Sequence, residues 1–223
     1  MQTRRQGNAK SRRNALKTLR KRDCVGLLLV GKCETGKSSL VNRWINGDYK
    51  DYYIPTVEEF YLKSYGVMGH SVNVGVIDMS GSWDFPGMLD LYFNKADSII
   101  FVYEVNNKVS ISEMFLFYQR LVKIRGENHE VYMTVVGTKM DKQQQYDEST
   151  KNEAVDAFIK EIGGRAKHTI TSAKLNINVV EAFEAALSNV VANMTPNEDA
   201  IKRLDKLMKT NEKKSICSAC SLM

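Results

Sequence analysis

Residues 31–38 read Gly-Lys-Cys-Glu-Thr-Gly-Lys-Ser and fit the pattern G-x-x-x-x-G-K-[S/T] of a phosphate-binding loop. An apolar run at residues 25–30 precedes this loop as a buried strand would, and residues 39–46 can continue it as a helix. In such a loop the backbone N–H groups and the N-terminal end of the helix hold phosphate oxygens. The motif predicts that Lys37 contacts the outer phosphates and that the Ser38 hydroxyl binds Mg²⁺. A chance glycine turn is disfavoured because the strand, loop and helix patterns agree.

The chain has 223 residues, of which 43% are hydrophobic, enough for one domain of ordinary size with tails. Its net charge of +6 is concentrated at the ends, because the first 22 residues carry nine basic side chains and no acidic one. We therefore predict a basic arm at residues 1–22, a folded domain at residues 23–195 and a basic tail at residues 196–223. Basic ends suit an anionic partner, either lipid or nucleic acid, and a solvated arm is the alternative. The four cysteines lack metal-ligand spacing and no secretory segment is visible, which predicts an intracellular protein.

Strand-like apolar runs alternate with segments of helical periodicity along the predicted domain. We predict strands at residues 25–30, 58–66, 71–77, 98–103, 131–136 and 167–171. We predict helices at residues 39–46, 86–93, 110–125, 150–162 and 176–194. One apolar stripe in the last helix is expected to face the core and comprises Val179, Val180, Phe183, Leu187, Val190 and Val191. This alternation predicts an α/β fold with a doubly wound, mostly parallel six-stranded sheet, whose ligands bind at the carboxyl ends of the strands.

Two further motifs follow the predicted order of strands and suit a metal-bound phosphate. Thr56 supplies a second hydroxyl that can complete a Mg²⁺ shell beside Ser38. Asp78 and Gly81 fit D-x-x-G directly after a strand, so the carboxylate can hold a metal-bound water and the glycine N–H can approach the terminal phosphate. These residues predict the outer half of a nucleoside triphosphate site.

Two motifs near the last strands suit a guanine base. Asp141, in the stretch that begins Thr138-Lys139, can accept two N–H donors from the guanine edge, a pattern that adenine does not offer. The Lys139 stem can lie along one face of the base. The backbone of residues 172–174 can meet the guanine carbonyl. Each short string is weak alone, but all of them in order after strands favour guanine strongly.

With these motifs in place, residues 24–192 resemble the small GTPases of the Ras superfamily and imply the P-loop GTPase fold. The segment 53–61 is similar to the effector loop of the Ras branch, whereas Thr138 stands where the Rho branch often has threonine. The short gap between Asp141 and Ser172 places the chain nearer Ras. The resemblance also implies that Tyr49 stacks on the guanine and that Tyr53 closes over the phosphates.

The resemblance implies a full set of site residues. The nucleotide-binding residues are Gly31, Cys33, Glu34, Thr35, Gly36, Lys37, Ser38, Ser39, Tyr49, Tyr53, Thr56, Gly81, Thr138, Lys139, Asp141, Ser172, Ala173 and Lys174. The residues expected to act in GTP hydrolysis are Lys37, Thr56, Gly81 and Ser82, and the Mg²⁺ ligands are Ser38, Thr56 and Asp78. The implied partners are effector proteins at residues 53–61 and 83–92, an exchange factor and an activating protein. We do not expect nucleic acid as a partner.

Besides Ser80, which replaces a common alanine, three residues depart from the family pattern. Cys33 replaces a usual glycine, Glu34 stands where a small residue is common, and Ser82 replaces the glutamine that orients the attacking water. We expect slow GTP hydrolysis, with a GTP-loaded scaffold of the Rnd type as the alternative; a residue at 83–85 or a partner could instead position the water. Glu34 is expected to weaken nucleotide affinity, which a cation at Lys32 could offset. A P-loop nucleotide kinase lacks support, because no site for a second substrate is evident.

The last four residues, Cys-Ser-Leu-Met at 220–223, fit C-a-a-X, and the final methionine favours a farnesyl group on Cys220. One lipid chain anchors only marginally, so a second signal is needed. The basic tail and a palmitoyl group on Cys217 can supply it. We therefore expect the cytoplasmic face of an anionic membrane, with the plasma membrane as the expected site.

Overall fold

The structure is a computed structural model that describes residues 24–53, 55–56, 58–81, 86–127, 130–142, 153–164 and 166–193. Six strands run β1 Cys24–Val30, β2 Glu58–Val67, β3 His70–Met79, β4 Ser98–Glu104, β5 Tyr132–Thr138 and β6 Lys167–Ile170. The α-helices among these residues are α1 Lys37–Asn46, α2 Pro86–Phe93, α3 Lys108–Arg125, α4 Glu153–Glu161 and α5 Val179–Asn193. A 3₁₀ turn, Met140–Lys142, follows β5. The predicted arm and tail, Ser82, Cys217 and Cys220 lie outside the described residues.

The six strands form one sheet in the order β2-β3-β1-β4-β5-β6. All pairs are parallel except the β2–β3 hairpin, which turns at Met68 and Gly69. All seven residues of β1 are buried, which explains its continuous apolar run, because a central parallel strand is covered on both faces. The predicted α/β fold with a mostly parallel six-stranded sheet is confirmed.

The helices cover the sheet with apolar faces, as their periodicity predicted, with one exception. On α1, Leu40 and Trp44 are buried, and the Trp44 ring stacks on Phe183 of α5 with ring centroids 4.3 Å apart. Val180 was predicted to belong to the buried stripe of α5, and this prediction is wrong, because its side chain is 43% exposed. It follows Val179 by one residue, a rotation of about 100° around the helix, which points it away from the buried face.

The topology brings the predicted motifs to one edge of the sheet. The carboxyl ends of the five parallel strands meet there, and β2, which is antiparallel to β3, begins at the same edge. The phosphate loop follows β1, Asp78 lies at the end of β3, and Thr138 ends β5. Among the described residues, no helix combines the length and the apolar character needed to cross a bilayer.

Candidate functional site

The phosphate loop turns over the carboxyl end of β1 and enters α1 at Lys37. Gly36, at the N-cap of α1, has a φ of 93°, a left-handed conformation that glycine adopts without strain. The Lys37 side chain is buried, and its Nζ donates 2.9 Å hydrogen bonds to the carbonyl oxygens of Gly31 and Lys32. Burial lowers the pKa of Lys37. An ammonium held inside the loop in this way is placed to bind an anion over it.

The two unusual residues of the loop face the same space. Cys33 and Glu34 both line the cavity beside the loop. Glu34 is exposed and has a φ of 63°, a left-handed conformation that costs a residue with a Cβ about 1 kcal/mol or more. The Lys32 ammonium forms its ion pair with Glu113 of α3, at 2.8 Å. Lys32 is therefore already engaged by a carboxylate other than Glu34.

Three oxygen-bearing side chains gather next to Lys37. Ser38 Oγ and Thr56 Oγ1 lie 2.9 Å apart and share a hydrogen bond. The Asp78 side chain is fully buried, and neither of its carboxylate oxygens has a hydrogen-bond partner among the described residues. Burial raises the pKa of Asp78 to about 6; the nearby Ser38 hydroxyl opposes that rise, although its 2.9 Å hydrogen bond is with Thr56.

An unpartnered buried carboxylate is costly unless a cation or donor meets it. Hydroxyl and carboxylate oxygens are the ligands that Mg²⁺ takes in proteins, together with water and phosphate oxygens. Ser38, Thr56 and Asp78 therefore fit a magnesium ion. Within the described ranges, no cluster of three or more histidine, cysteine or acidic side chains offers another metal site.

Gly81 lies directly against the phosphate loop. A Cβ at this position would fall 2.2 Å from the Cys33 backbone nitrogen and 2.3 Å from the Lys32 carbonyl carbon. Real Cβ atoms do not approach backbone so closely, so only glycine fits here. The D-x-x-G motif thus brings its backbone next to the space over the loop, as a contact with a terminal phosphate requires.

At the other end of the cavity, Thr138 joins the β5 loop to the phosphate loop. Its hydroxyl group is buried and lies within hydrogen-bond distance of two backbone oxygens, those of Thr35 and, at 2.9 Å, Tyr103. Thr35 is itself buried and bonds to the Lys32 carbonyl oxygen at 2.9 Å. This chain of contacts fixes the spacing between the two loops.

The side chains that the sequence predicts to read the base are held by polar partners. Ser172 Oγ donates a 2.6 Å hydrogen bond to Asp141 Oδ1, which orients the carboxylate. Lys139 Nζ forms a 2.9 Å ion pair with Glu104, at the end of β4. The Asp141 carboxylate and the Lys139 side chain both line the cavity, together with Ala173 and Lys174.

One cavity of about 420 Å³ collects most of the predicted site residues. The predicted residues that line it are Cys33, Glu34, Gly36, Lys37, Ser38, Ser39, Tyr49, Tyr53, Thr56, Gly81, Thr138, Lys139, Asp141, Ala173 and Lys174. Four others do not line it and lie behind its wall, namely Gly31, Thr35, Asp78 and Ser172. Gly31 hydrogen-bonds to Lys37, Thr35 to Thr138, and Ser172 to Asp141, and each of these partners lines the cavity. Asp78 is buried beside Lys37 and Ser38.

Sequence reasoning missed the side chains that support the cavity from outside. Arg43 bonds to the backbone of residues 173 and 174, Glu104 pairs with Lys139, and Glu113 pairs with Lys32. Each partner is at least 35 residues away in the chain, so no local pattern marks it. From the sequence, a charged residue on a helix or at a strand end is predicted to be exposed to solvent, because its partner is known only from the fold.

Comparison with known proteins decides the family. A family model described as the Ras family matches residues 26–192. The chain belongs to the Ras family of small GTPases. It is 32% identical over 193 residues to human "GTP-binding protein Di-Ras1", an alignment that covers 86% of this chain and 94% of that protein.

Two other relatives agree with this assignment. "GTP-binding protein Di-Ras2" of Pongo abelii is 32% identical over 162 residues, or 72% of this chain and 78% of that protein. Human "GTP-binding protein Rhes" is 28% identical over 169 residues, which cover 73% of this chain and 63% of that protein. The predicted resemblance to the Ras branch is confirmed, and the chain is a GTP-binding switch protein of that family.

Proposed function

We propose that the 420 Å³ cavity is the guanine-nucleotide site of this Ras-family switch. One observation carries the proposal: the phosphate loop and the Asp141 loop line the same cavity, and the Thr138 hydroxyl joins them. A triphosphate at one end and a guanine at the other match this arrangement. The alternative, a site for ATP, is disfavoured because adenine does not offer the Asp141 carboxylate the adjacent pair of N–H donors that guanine offers.

Each predicted side chain at the phosphate end of the cavity has a proposed role. Lys37 binds the outer phosphates as a cation, and the N-terminus of α1 adds its positive dipole. Ser38, Thr56 and Asp78 would hold Mg²⁺, which when bound neutralises charge on the β- and γ-phosphates. Thr56 and Gly81 contact the γ-phosphate region and hold their loops only while that group is present, an order–disorder switch.

Hydrolysis of GTP by this protein is proposed to be slow. Ser82 stands where the water-orienting glutamine is usual, and a serine side chain is too short to hold the water in line with the phosphate. Cys33 places a Cβ and a thiol on the cavity wall, where an activating arginine would enter. The same two residues favour a second candidate function, a GTP-loaded scaffold that binds partners and hardly turns over; GTP rather than GDP in the purified protein would support it.

Replacing Ser82 with glutamine is expected to raise the single-turnover rate of GTP hydrolysis by about tenfold or more, since a water-orienting group is restored. Phosphate release from preloaded protein measures it. Ser82→Asn is the matched control, because it carries the same amide on a shorter stem and should leave the rate low. A rate in Ser82→Gln no higher than in the wild type would contradict the proposal that Ser82 causes slow hydrolysis.

Replacing Glu34 with glycine is expected to slow GDP release by about tenfold, because it removes a carboxylate from beside the phosphates and relieves a left-handed backbone. Stopped-flow release of a fluorescent GDP measures the effect. Glu34→Gln removes only the charge and keeps the strained backbone, so it should show part of the decrease in the rate of GDP release. Unchanged release in both variants would contradict the proposed influence of Glu34 on affinity.

Effector proteins are proposed to bind at residues 53–61 and 83–92. The Tyr53 side chain is 58% exposed at the cavity mouth, where its accessibility suits a partner. The Tyr92 hydroxyl donates a hydrogen bond to Glu58, which links the two segments. An exchange factor and an activating protein would act through the same loops, since those loops cover the nucleotide.

Membrane anchoring is proposed through Cys220, provided that Met223 is the carboxyl terminus, with Cys217 and the basic tail as the second signal. Cys220→Ser is expected to move the protein from the membrane to the soluble fraction of cells. Met223→Leu is the control, because it favours a geranylgeranyl group and keeps an anchor. Membrane fractionation of Cys220→Ser equal to that of the wild type would refute lipid attachment at this cysteine.

A further inference from the structure

Arg43, on the helix that begins at the phosphate loop, donates hydrogen bonds to three backbone carbonyl oxygens. Its Nε bonds to Ala173 at 2.7 Å, its Nη2 to Lys174 at 3.2 Å, and its Nη1 to Gly47 at 2.6 Å. The first two bonds join residues 130 and 131 positions apart in the chain. One guanidinium therefore ties α1 to the loop of residues 172–174.

The same guanidinium also lies near Tyr49, another residue that lines the cavity. Its Cζ is 5.9 Å from the centre of the Tyr49 ring, within the range of a cation–π contact. Arg43 itself does not line the cavity, whereas Tyr49, Ala173 and Lys174 do. Arg43 is thus placed to fix two walls of the base end without contact with the nucleotide.

A second contact to this loop comes from the segment that follows α1 and is weaker. Lys174 pairs with Asp51 at 3.2 Å, but these side chains are 50% and 74% exposed, and such surface ion pairs contribute little. Hydrogen bonds from a charged guanidinium to carbonyl oxygens are stronger, and Arg presents them in a rigid fork. Of these two contacts, the Arg43 hydrogen bonds therefore hold the backbone of residues 173 and 174 more firmly.

We infer that Arg43 is a positioning residue for the guanine base: it holds the backbone of residues 172–174 where it meets the 6-oxo group, and thereby sets the rate of GDP release. This inference rests on the base site proposed above. Without Arg43, the loop keeps its Ser172–Asp141 bond and the backbone bonds between Ser172 and Ile177, but residues 173 and 174 lose their hydrogen bonds to α1. Contacts to the 6-oxo group are then expected to weaken, while the phosphate end stays intact.

Release of GDP and of 6-thio-GDP from full-length protein tests this role. In the analogue a sulfur, a weak hydrogen-bond acceptor, replaces only the 6-oxo atom. Arg43→Met is expected to speed GDP release about tenfold or more and 6-thio-GDP release about threefold or less, so that discrimination between them falls. Arg43→Lys, which keeps one charged donor, should lie between; it carries the test if Arg43→Met does not fold.

Asn46→Ala is the matched control, because Asn46 lies on the same helix and is exposed. Within the part of the chain that the structure describes, its side chain donates a hydrogen bond to Asn42. Its release rates should stay within about twofold of the wild type. Equal acceleration of GDP and 6-thio-GDP in the Arg43 variants would assign Arg43 a merely structural role and overturn the inference, as would unchanged rates. A wild-type protein that binds no GDP would instead overturn the proposed nucleotide site.

Discussion

Replacing Lys37 with methionine is expected to lower the affinity for GDP by about 10²–10⁴-fold. The Lys37 ammonium is buried inside the phosphate loop and donates to two loop carbonyls, so it is already oriented toward a bound phosphate. Charge-assisted hydrogen bonds are worth about 1.5–3 kcal/mol each, and the range corresponds to the loss of two such bonds from Lys37 to phosphate oxygens, one of them made in exchange for a bond to a loop carbonyl. Methionine keeps a similar length and apolar stem, so the loop retains its packing.

Equilibrium binding of GDP in the presence of Mg²⁺ measures this loss. Lys123→Met serves as the control, since Lys123 is an exposed residue near the end of α3 and does not line the cavity. Because burial lowers the pKa of Lys37, its charge costs the nucleotide-free protein stability, and the variant should fold as well as the wild type. A folded Lys37→Met protein with GDP affinity within about threefold of the wild type would contradict the phosphate site.

Replacing Asp141 with asparagine is expected to exchange the preference for guanine for a preference for xanthine. In the proposed site the Asp141 carboxylate would accept two N–H donors from guanine, whereas an amide offers one acceptor and one donor. The amide N–H₂ then opposes the guanine amino group but can donate to the 2-oxo group of xanthine. Two charge-assisted bonds are affected, so GDP affinity should fall by about 10²–10⁴-fold while XDP affinity rises.

Competition between GDP and XDP measures this exchange. Ser172 already holds Asp141 Oδ1 at 2.6 Å, so the amide oxygen of the variant keeps a defined partner and the side chain stays oriented. Asp156→Asn is the control, because Asp156 lies exposed on α4 and does not line the cavity. The same GDP-to-XDP ratio in Asp141→Asn and the wild type would show that this carboxylate does not read the base.

The sheet and the loops at its edge could be predicted from the sequence because each is encoded by contiguous residues. The phosphate loop needs glycines and a lysine at fixed spacing, and the strands need continuous apolar runs. The predicted ends of the helices agree less well with the structure. Helix α3 begins at Lys108 rather than 110 because Asn107 caps it through bonds to two backbone N–H groups. Helix α5 begins at Val179 because Asn178 just before it has a φ of 54°.

What could not be predicted depends on partners distant in sequence. Arg43 and Glu104 are charged residues whose periodicity marks only a surface position, and the fold alone places them against Ala173 and Lys139. The burial of Asp78, with no hydrogen-bond partner for its carboxylate among the described residues, could not be read from the sequence either, since it depends on tertiary packing. Local sequence motifs thus predict which residues line the cavity, whereas the contacts that stabilise these residues depend on the tertiary structure.

Calorimetric titration of nucleotide-free protein with GTP and, separately, with ATP, both in Mg²⁺, tests the central claim most directly. We predict that GTP binds at one site per chain, and that ATP binds at least about 10²-fold more weakly, because adenine offers Asp141 no matching pair of donors. Circular dichroism of the same sample confirms that the protein is folded. Folded protein that does not bind GTP, or that binds ATP as tightly, would contradict the account.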